Sequence, residues 1–161
     1  HAQFMAQNPD ASVFKDDKEK LKVYTILANN VFFEVKENYA KNMVTGFIKL
    51  NGTTVGCVAN RTEVYGADGE VTDKFDAVLT AAGCEKAAAF VKTCDAFNIP
   101  VLTLTNVEGY ATSVEEEKTI AAAAAKLTAA FAESDVPKVN MITGNAYGSA
   151  YITMNLSLIH I

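Results

Sequence analysis

The stretch Pro137-Lys138-Val139-Asn140-Met141-Ile142-Thr143-Gly144-Asn145-Ala146-Tyr147-Gly148-Ser149-Ala150-Tyr151 decides how this chain is read. Val139, Met141 and Ile142 make a short apolar run suited to a buried strand. Gly144 is expected to break that run. Gly148, Ser149 and Ala150 then place small residues where the next helix begins. The first N–H groups of a helix have no partner inside it, and small side chains let a substrate oxygen approach them. Donors fixed in that way stabilise charge developing on a carbonyl oxygen, which is the logic of an oxyanion hole. The plainer alternative is a strand-to-helix turn that takes glycine only for its backbone angles.

Working back from this stretch, helix and strand signals alternate. Residues 115–133 read as one helix opened by Glu115, with Ile120, Ala124, Leu127 and Phe131 on one face. The alanines at 121–125 let it lie close to a neighbour. Val101-Leu102-Thr103-Leu104-Thr105 is a strand, after which Val107-Glu108-Gly109-Tyr110 turns the chain. Residues 84–98 read as a helix carrying Phe90, Val91, Cys94 and Phe97 on one face, with Pro100 just past its end. Between residues 60 and 80 the pattern weakens, and Gly66, Asp68 and Gly69 mark loops. Asn51-Gly52 separates two β-prone runs and signals a hairpin. Val31-Phe32-Phe33-Glu34-Val35 reads as a strand or its beginning, while residues 23–27 fit helix or strand equally. Residues 1–21 are mixed and polar, with the charge run Asp16-Asp17-Lys18-Glu19-Lys20. The order of elements predicts an α/β fold of crossover units on a parallel sheet, entered through a hairpin. There is no internal repeat.

The 161 residues are 50% hydrophobic and 20% charged, which suits one domain with a real core. A net charge of -5 disfavours nucleic acid and acidic membrane surfaces as partners. No apolar run approaches the length of a membrane span. No secretory signal stands at the start, where the chain begins at His1 rather than methionine. Cys57, Cys84 and Cys94 are odd in number and form no Cys-x-x-Cys pair, which argues against a disulfide framework or zinc site. Reduced, partly buried thiols in a cytoplasmic protein are the expectation.

In a parallel sheet the strand ends near Asn106 and Thr143 point the same way, and ligands sit at such ends. Each is followed by a glycine loop, Glu108-Gly109-Tyr110 and Tyr147-Gly148-Ser149. Nucleotide fingerprints are absent. Ser149 invites a nucleophile reading, but Tyr147-Gly148-Ser149-Ala150-Tyr151 misses Gly-x-Ser-x-Gly at its last position. The histidines that a serine would need as base are His1 and His160, at the two ends of the chain. Glu108 is either an acid or base beside the pocket or a solvated loop carboxylate. Glu115, Glu116 and Glu117 suit the first turn of a helix and read as structural.

Lys92-Thr93-Cys94-Asp95-Ala96-Phe97-Asn98-Ile99-Pro100, Val136-Pro137-Lys138-Val139 and Ala146-Tyr147-Gly148-Ser149-Ala150-Tyr151 resemble the carboxyltransferase subunits of biotin-dependent acyl-CoA carboxylases and the related sodium-pump decarboxylases. Tyr39-Ala40-Lys41-Asn42, Val44-Thr45-Gly46-Phe47 and residues 56–60 are similar to the start of that family's C-terminal domain. The likeness runs from about residue 32 to 155. It implies a crotonase-like (ClpP/crotonase) spiral of β-β-α units, present here as a partial domain. Residues 1–30 would be the end of a preceding domain or a linker, 31–155 a truncated C-terminal-type carboxyltransferase domain, and 156–161 an unmatched tail.

The resemblance also implies an activity, carboxyl transfer between carboxybiotin and an acyl-CoA of propionyl, acetyl or methylmalonyl type, through an enolate of the acyl-CoA. Carried across residue by residue, the oxyanion donors fall on Gly148, Ser149 and Ala150. Val107, Glu108, Gly109, Tyr110 and Tyr147 would line the biotin or substrate side. The implied cofactor is biotin on a carrier partner, with a coenzyme A thioester as substrate and no metal. Implied partners are a biotin carboxyl carrier protein with a biotin carboxylase subunit, or a membrane decarboxylase subunit, in a homo-oligomer. Decarboxylation, and a non-catalytic module that only pairs with partners, are the alternatives. Three departures stand out. The loop reads Val-Glu-Gly-Tyr where the family has Val-Pro-Gly-Phe. Ser149 replaces a second glycine. The likeness stops after Asn155. Two structural expectations follow: Gly109 and Gly148 adjacent at one edge of the sheet, and an exposed apolar face.

Overall fold

A computed structural model describes residues 32–65 and 70–155. The expectations for residues 1–30, for the loop at 66–69 and for the tail at 156–161 lie outside the described residues. Strand β1 (Phe33–Glu34) pairs antiparallel with β2 (Met43–Leu50), which pairs antiparallel with β3 (Thr53–Asn60). Asn51 and Gly52 join β2 to β3 with φ of 49° and 82°. Two positive φ values are what a two-residue hairpin loop of the matching twist requires, and Asn-Gly accepts them. A small antiparallel pair follows, β4 (Glu63–Tyr65) with β5 (Val71–Lys74), then the short β6 (Val78–Leu79).

Helix α1 (Ala81–Ala96) starts at Thr80, whose side chain accepts from the Gly83 N–H. The Ala81 N–H donates to the Glu116 carboxylate at 2.6 Å. Glu116 therefore satisfies a donor at the start of α1, beyond any effect on its own turn. The helix closes when Asn98 takes φ 54°. Its N–H donates to the Asp95 carbonyl at 3.0 Å, and that of Ile99 to the Cys94 carbonyl at 2.8 Å. This pair of bonds satisfies the last carbonyls before Pro100 takes the chain away. Phe97 falls at the cap and is exposed, so it does not share the buried face of Phe90, Val91 and Cys94.

Strand β7 (Val101–Val107) lies parallel to β3, and β8 (Gly109–Tyr110) lies parallel to β6. The helix expected over 115–133 is two, α2 (Val114–Glu117) and α3 (Ile120–Glu133), parted at Lys118 and Thr119. Strand β9 (Lys138–Ala146) pairs parallel with β7, and α4 (Gly148–Met154) follows. The larger sheet among the described residues runs β1-β2-β3-β7-β9. This is the expected crossover sheet entered through a hairpin.

Alternate residues of each strand serve opposite faces. Met43, Val58, Val101 and Val107 meet α1 and α3 through Phe90, Val91, Leu127 and Phe131. Val44, Ile48, Val55, Cys57 and Leu104 form a cluster on the other face. Gly56 lets α1 close in: a Cβ there would lie 2.5 Å from the Cys94 sulfur. Lys86 is only 2% exposed, and its Nζ donates to the Tyr39 and Met43 carbonyls at 2.8 and 2.7 Å.

Two expectations for β9 are corrected. Val139, Met141 and Ile142 are not buried; Val139 is 63% exposed and Ile142 47%. β9 is the last strand in the order, and its inward positions are polar: Asn140 donates to Thr105 Oγ1 at 2.7 Å and Thr143 to the Thr105 carbonyl at 3.2 Å. Val139 and Met141 share a face with their partners Leu102 and Leu104, Ile142 takes the other, and all three are exposed on this last strand. Gly144 does not end the strand. It lies in a bulge, where Thr105 pairs with Ile142 and Val107 with Ala146, so β9 spends extra residues against β7.

Cys57, Cys84 and Cys94 are free and buried. Burial pushes the Cys57 and Cys84 thiols up to about 12, with Glu116 and Glu85 adding to the effect on Cys84, and the Cys94 thiol up to about 11. Above the ordinary value of 9.0 the unfolded chain has shed these protons and the folded chain has kept them. The unfolded state then binds fewer protons, so stability falls as pH rises through this window. The urea midpoint should drop between pH 9 and pH 11, and the drop should shrink in Cys57→Ala/Cys84→Ala. An equal drop in that variant would remove the thiols as its cause.

Candidate active site

The carboxyl ends of β3, β7 and β9 share one rim, and an asparagine stands near each end. Asn60 closes β3, and its Oδ1 accepts from the Asn106 N–H at 2.8 Å while its Nδ2 donates to the Asn106 carbonyl. Asn106 Oδ1 in turn accepts from the Asn145 N–H at 2.8 Å. These amides continue the pairing of the strands past the point where the backbones diverge at the bulge. The sequence reading missed all three as site residues. The available signal was an asparagine recurring at the end of β-prone runs.

The loop after β7 is fixed on both sides. The Glu108 N–H donates to the Ala77 carbonyl at 2.7 Å, and Glu108 Oε1 accepts from Asn145 Nδ2, also at 2.7 Å. The Tyr147 N–H donates to the Val107 carbonyl at 3.0 Å. The two glycine loops are thus brought side by side, as expected. Glu108 is exposed, and its carboxylate is bonded to the Asn145 amide. Tyr110 turns its hydroxyl toward α4, 2.6 Å from Thr153 Oγ1 and 3.2 Å from the Ser149 carbonyl oxygen.

Gly148 opens α4 at φ 57°. Tyr147 offers no capping side chain. Among the described residues no backbone or side-chain partner takes the N–H of Ser149 or Ala150, while the Tyr151 N–H reaches the Tyr147 carbonyl at 3.3 Å. Such open donors are what a helix start leaves. A Cβ built on Gly109 or Gly148 would meet nothing within 4 Å, so the ground before both loops is open. The Tyr147 ring is exposed beside it. Val107 and Ala150 differ from the rest: their side chains are buried in the core, and only their backbone groups serve the rim. Neither histidine lies among the described residues. Among the described residues no cluster of three or more His, Cys, Asp or Glu could hold a metal ion. No described helix is long and apolar enough to cross a membrane.

The carboxyl transferase domain family matches residues 12–158. The mitochondrial propionyl-CoA carboxylase beta chain of Sus scrofa is 40% identical over 134 residues, 83% of this chain and 23% of that protein. The methylmalonyl-CoA decarboxylase subunit alpha of Propionigenium modestum is 38% identical over 136 residues, 80% of this chain and 23% of that protein. Among solved structures, the transcarboxylase 12S hexamer with methylmalonyl-coenzyme A bound superposes with a TM-score of 0.70 at 37% identity, covering 82% of this chain and 24% of that one. The chain spans less than a quarter of the length of the curated relatives it matches. The fold is the crotonase-like one expected from the sequence, present as a partial domain.

Proposed function

The chain belongs to the carboxyl transferase domain family, and we propose that it supplies the biotin-side half of an active site that moves a carboxyl group between biotin and an acyl-CoA. The observation that carries this reading is the pair of glycine loops held side by side, with open donors on one and open ground before both. The N–H groups of Ser149 and Ala150, together with Gly148, are the donors that stabilise charge on a reacting carbonyl oxygen. Because they are backbone groups, the Ser149 hydroxyl is dispensable. Val107, Glu108, Gly109, Tyr110 and Tyr147 form the biotin side: Val107 through its carbonyl, Gly109 by leaving space, Tyr147 through its exposed ring.

The residues present fit a neutral, flat, hydrogen-bond-accepting group. Both glycines leave room for it, and within 106–110 and 145–150 Glu108 is the one charged residue. Biotin, when bound on a carrier protein, brings the carboxyl group to be transferred. The chain's own part is to orient its partners and to offer preorganised donors. Residues 31–155 form the C-terminal-type domain of such a subunit. The acyl-CoA is of the propionyl, acetyl or methylmalonyl type, and a biotin carboxyl carrier protein and a biotin carboxylase subunit, or a membrane decarboxylase subunit, complete the assembly. The outward Val139, Met141 and Ile142 support a homo-oligomer or another assembled state, and the free buried thiols support a cytoplasmic setting. The same donors serve decarboxylation, the direction named for the Propionigenium relative.

The test is transfer itself. The protein carrying this chain is incubated with methylmalonyl-CoA labelled in its free carboxyl group, together with free biotin. Label should move to biotin; a folded, assembled protein that moves none would overturn the reading.

A further inference from the structure

Three oxygens meet where the loop after β7 touches α4. Tyr110 Oη is 2.6 Å from Thr153 Oγ1, Thr153 Oγ1 is 3.1 Å from the Ser149 carbonyl oxygen, and Tyr110 Oη is 3.2 Å from that same carbonyl. Two hydroxyls carry two protons, so the three contacts hold two hydrogen bonds. The shortest contact takes one of them. The other must end on the carbonyl, since it alone cannot donate. Either hydroxyl can be the last in the chain, and both orders deliver one proton to Ser149 oxygen.

That oxygen belongs to the peptide whose nitrogen is Ala150 N. A hydrogen bond accepted by a carbonyl draws electron density from its own amide and makes the N–H a stronger donor. The same chain ties the Gly109 loop to the helix that Gly148 opens, and so fixes the spacing of the two loops. Ala150 itself is held by its methyl group, 1% exposed in the core. Its N–H direction therefore depends on the peptide plane that Tyr110 and Thr153 steady.

We propose that Tyr110 is a positioning residue: through Thr153 its hydroxyl orients and polarises the Ser149–Ala150 peptide. This rests on the carboxyltransferase reading, and its test separates the two. In the protein carrying this chain, amide hydrogen exchange over α4 and the kinetics of carboxyl transfer are measured for Tyr110→Phe, Thr153→Val, Thr153→Ser and the double variant Tyr110→Phe/Thr153→Val. Tyr110→Phe and Thr153→Val should each slow base-catalysed exchange at Ala150, an open N–H that becomes a weaker acid as its peptide carbonyl loses polarisation. Each should lower kcat about fivefold to tenfold, the size of one net hydrogen bond, with KM for the acyl-CoA unchanged. Thr153→Ser should restore both readouts. The double variant should be worse than either single one, because each single change leaves the other hydroxyl within reach of the Ser149 carbonyl. Unchanged exchange overturns the link whatever the activity does. Slower exchange with unchanged kcat overturns its role in transfer. A wild-type protein without transfer activity overturns the carboxyltransferase reading, while the exchange data still decide the link.

Discussion

Gly148→Val should remove carboxyl transfer, and Ser149→Ala should leave most of it. At φ 57° Gly148 holds a backbone conformation that a β-branched residue avoids. Crowding by neighbours is not the difficulty, because a Cβ there meets nothing within 4 Å. Valine would instead rotate the peptide that presents the Ser149 N–H and place its own methyls on the open ground before the loop. Loss of one oxyanion donor costs about 3 kcal/mol in the barrier, or roughly a hundredfold in rate or more. Ser149→Ala keeps every backbone donor. The comparison is made on rates of carboxyl transfer, with circular dichroism to show that each variant folds. A folded but inactive Ser149→Ala enzyme would return the serine to the role of nucleophile.

Lys86→Ala should destabilise the fold more than any of the substitutions at the two loops, by about 3 to 5 kcal/mol. Two effects oppose each other. Burial pulls the Lys86 ammonium below its ordinary value of 10.5, with the nearby Glu34 carboxylate acting the other way, so a buried charge is lost with the side chain. Against this, the aliphatic stem fills core volume, and the Tyr39 and Met43 carbonyls lose the donor that serves them both. A buried carbonyl left without a donor costs about 1 to 3 kcal/mol, and the vacated volume adds to it. Lys86→Met separates the two, since methionine restores much of the volume and none of the hydrogen bonds. Urea unfolding should order the three proteins as wild type, then Met, then Ala. A methionine variant as stable as wild type would show that the buried charge, not the carbonyls, sets the balance.

The parts of the fold written in local chemistry were legible. Asn51-Gly52 specified its hairpin because few residue pairs tolerate two positive φ values in succession. Helix α1 was visible from its alanines and Pro100, although its start at Thr80 was placed late and Phe97 was wrongly put on its buried face. Where tertiary contacts decide, the sequence was silent. Val139, Met141 and Ile142 look like a core strand until the sheet order leaves β9 last and its inward positions polar. Lys86 carries no mark of burial, since its partners are carbonyls some forty residues upstream. The break between α2 and α3 falls at Lys118 and Thr119, with no glycine or proline to announce it. At the rim, the small residues at 148–150 pointed to the right turn. The proximity of Tyr110 to Thr153 spans 43 positions and follows only from the parallel pairing of β7 with β9.

The asparagine ladder across the ends of β3, β7 and β9 separates two kinds of inheritance. Side-chain amides at Asn60, Asn106 and Asn145 hold the places where the connecting segments leave the sheet, using atoms that belong to the strands. The segments themselves can then vary without dragging those departure points along. A substitution at Ser149 becomes a change of contents within an unmoved frame, while one at Glu108 also gives up its bond to Asn145. A protein built in this way can trial new substrates one loop residue at a time.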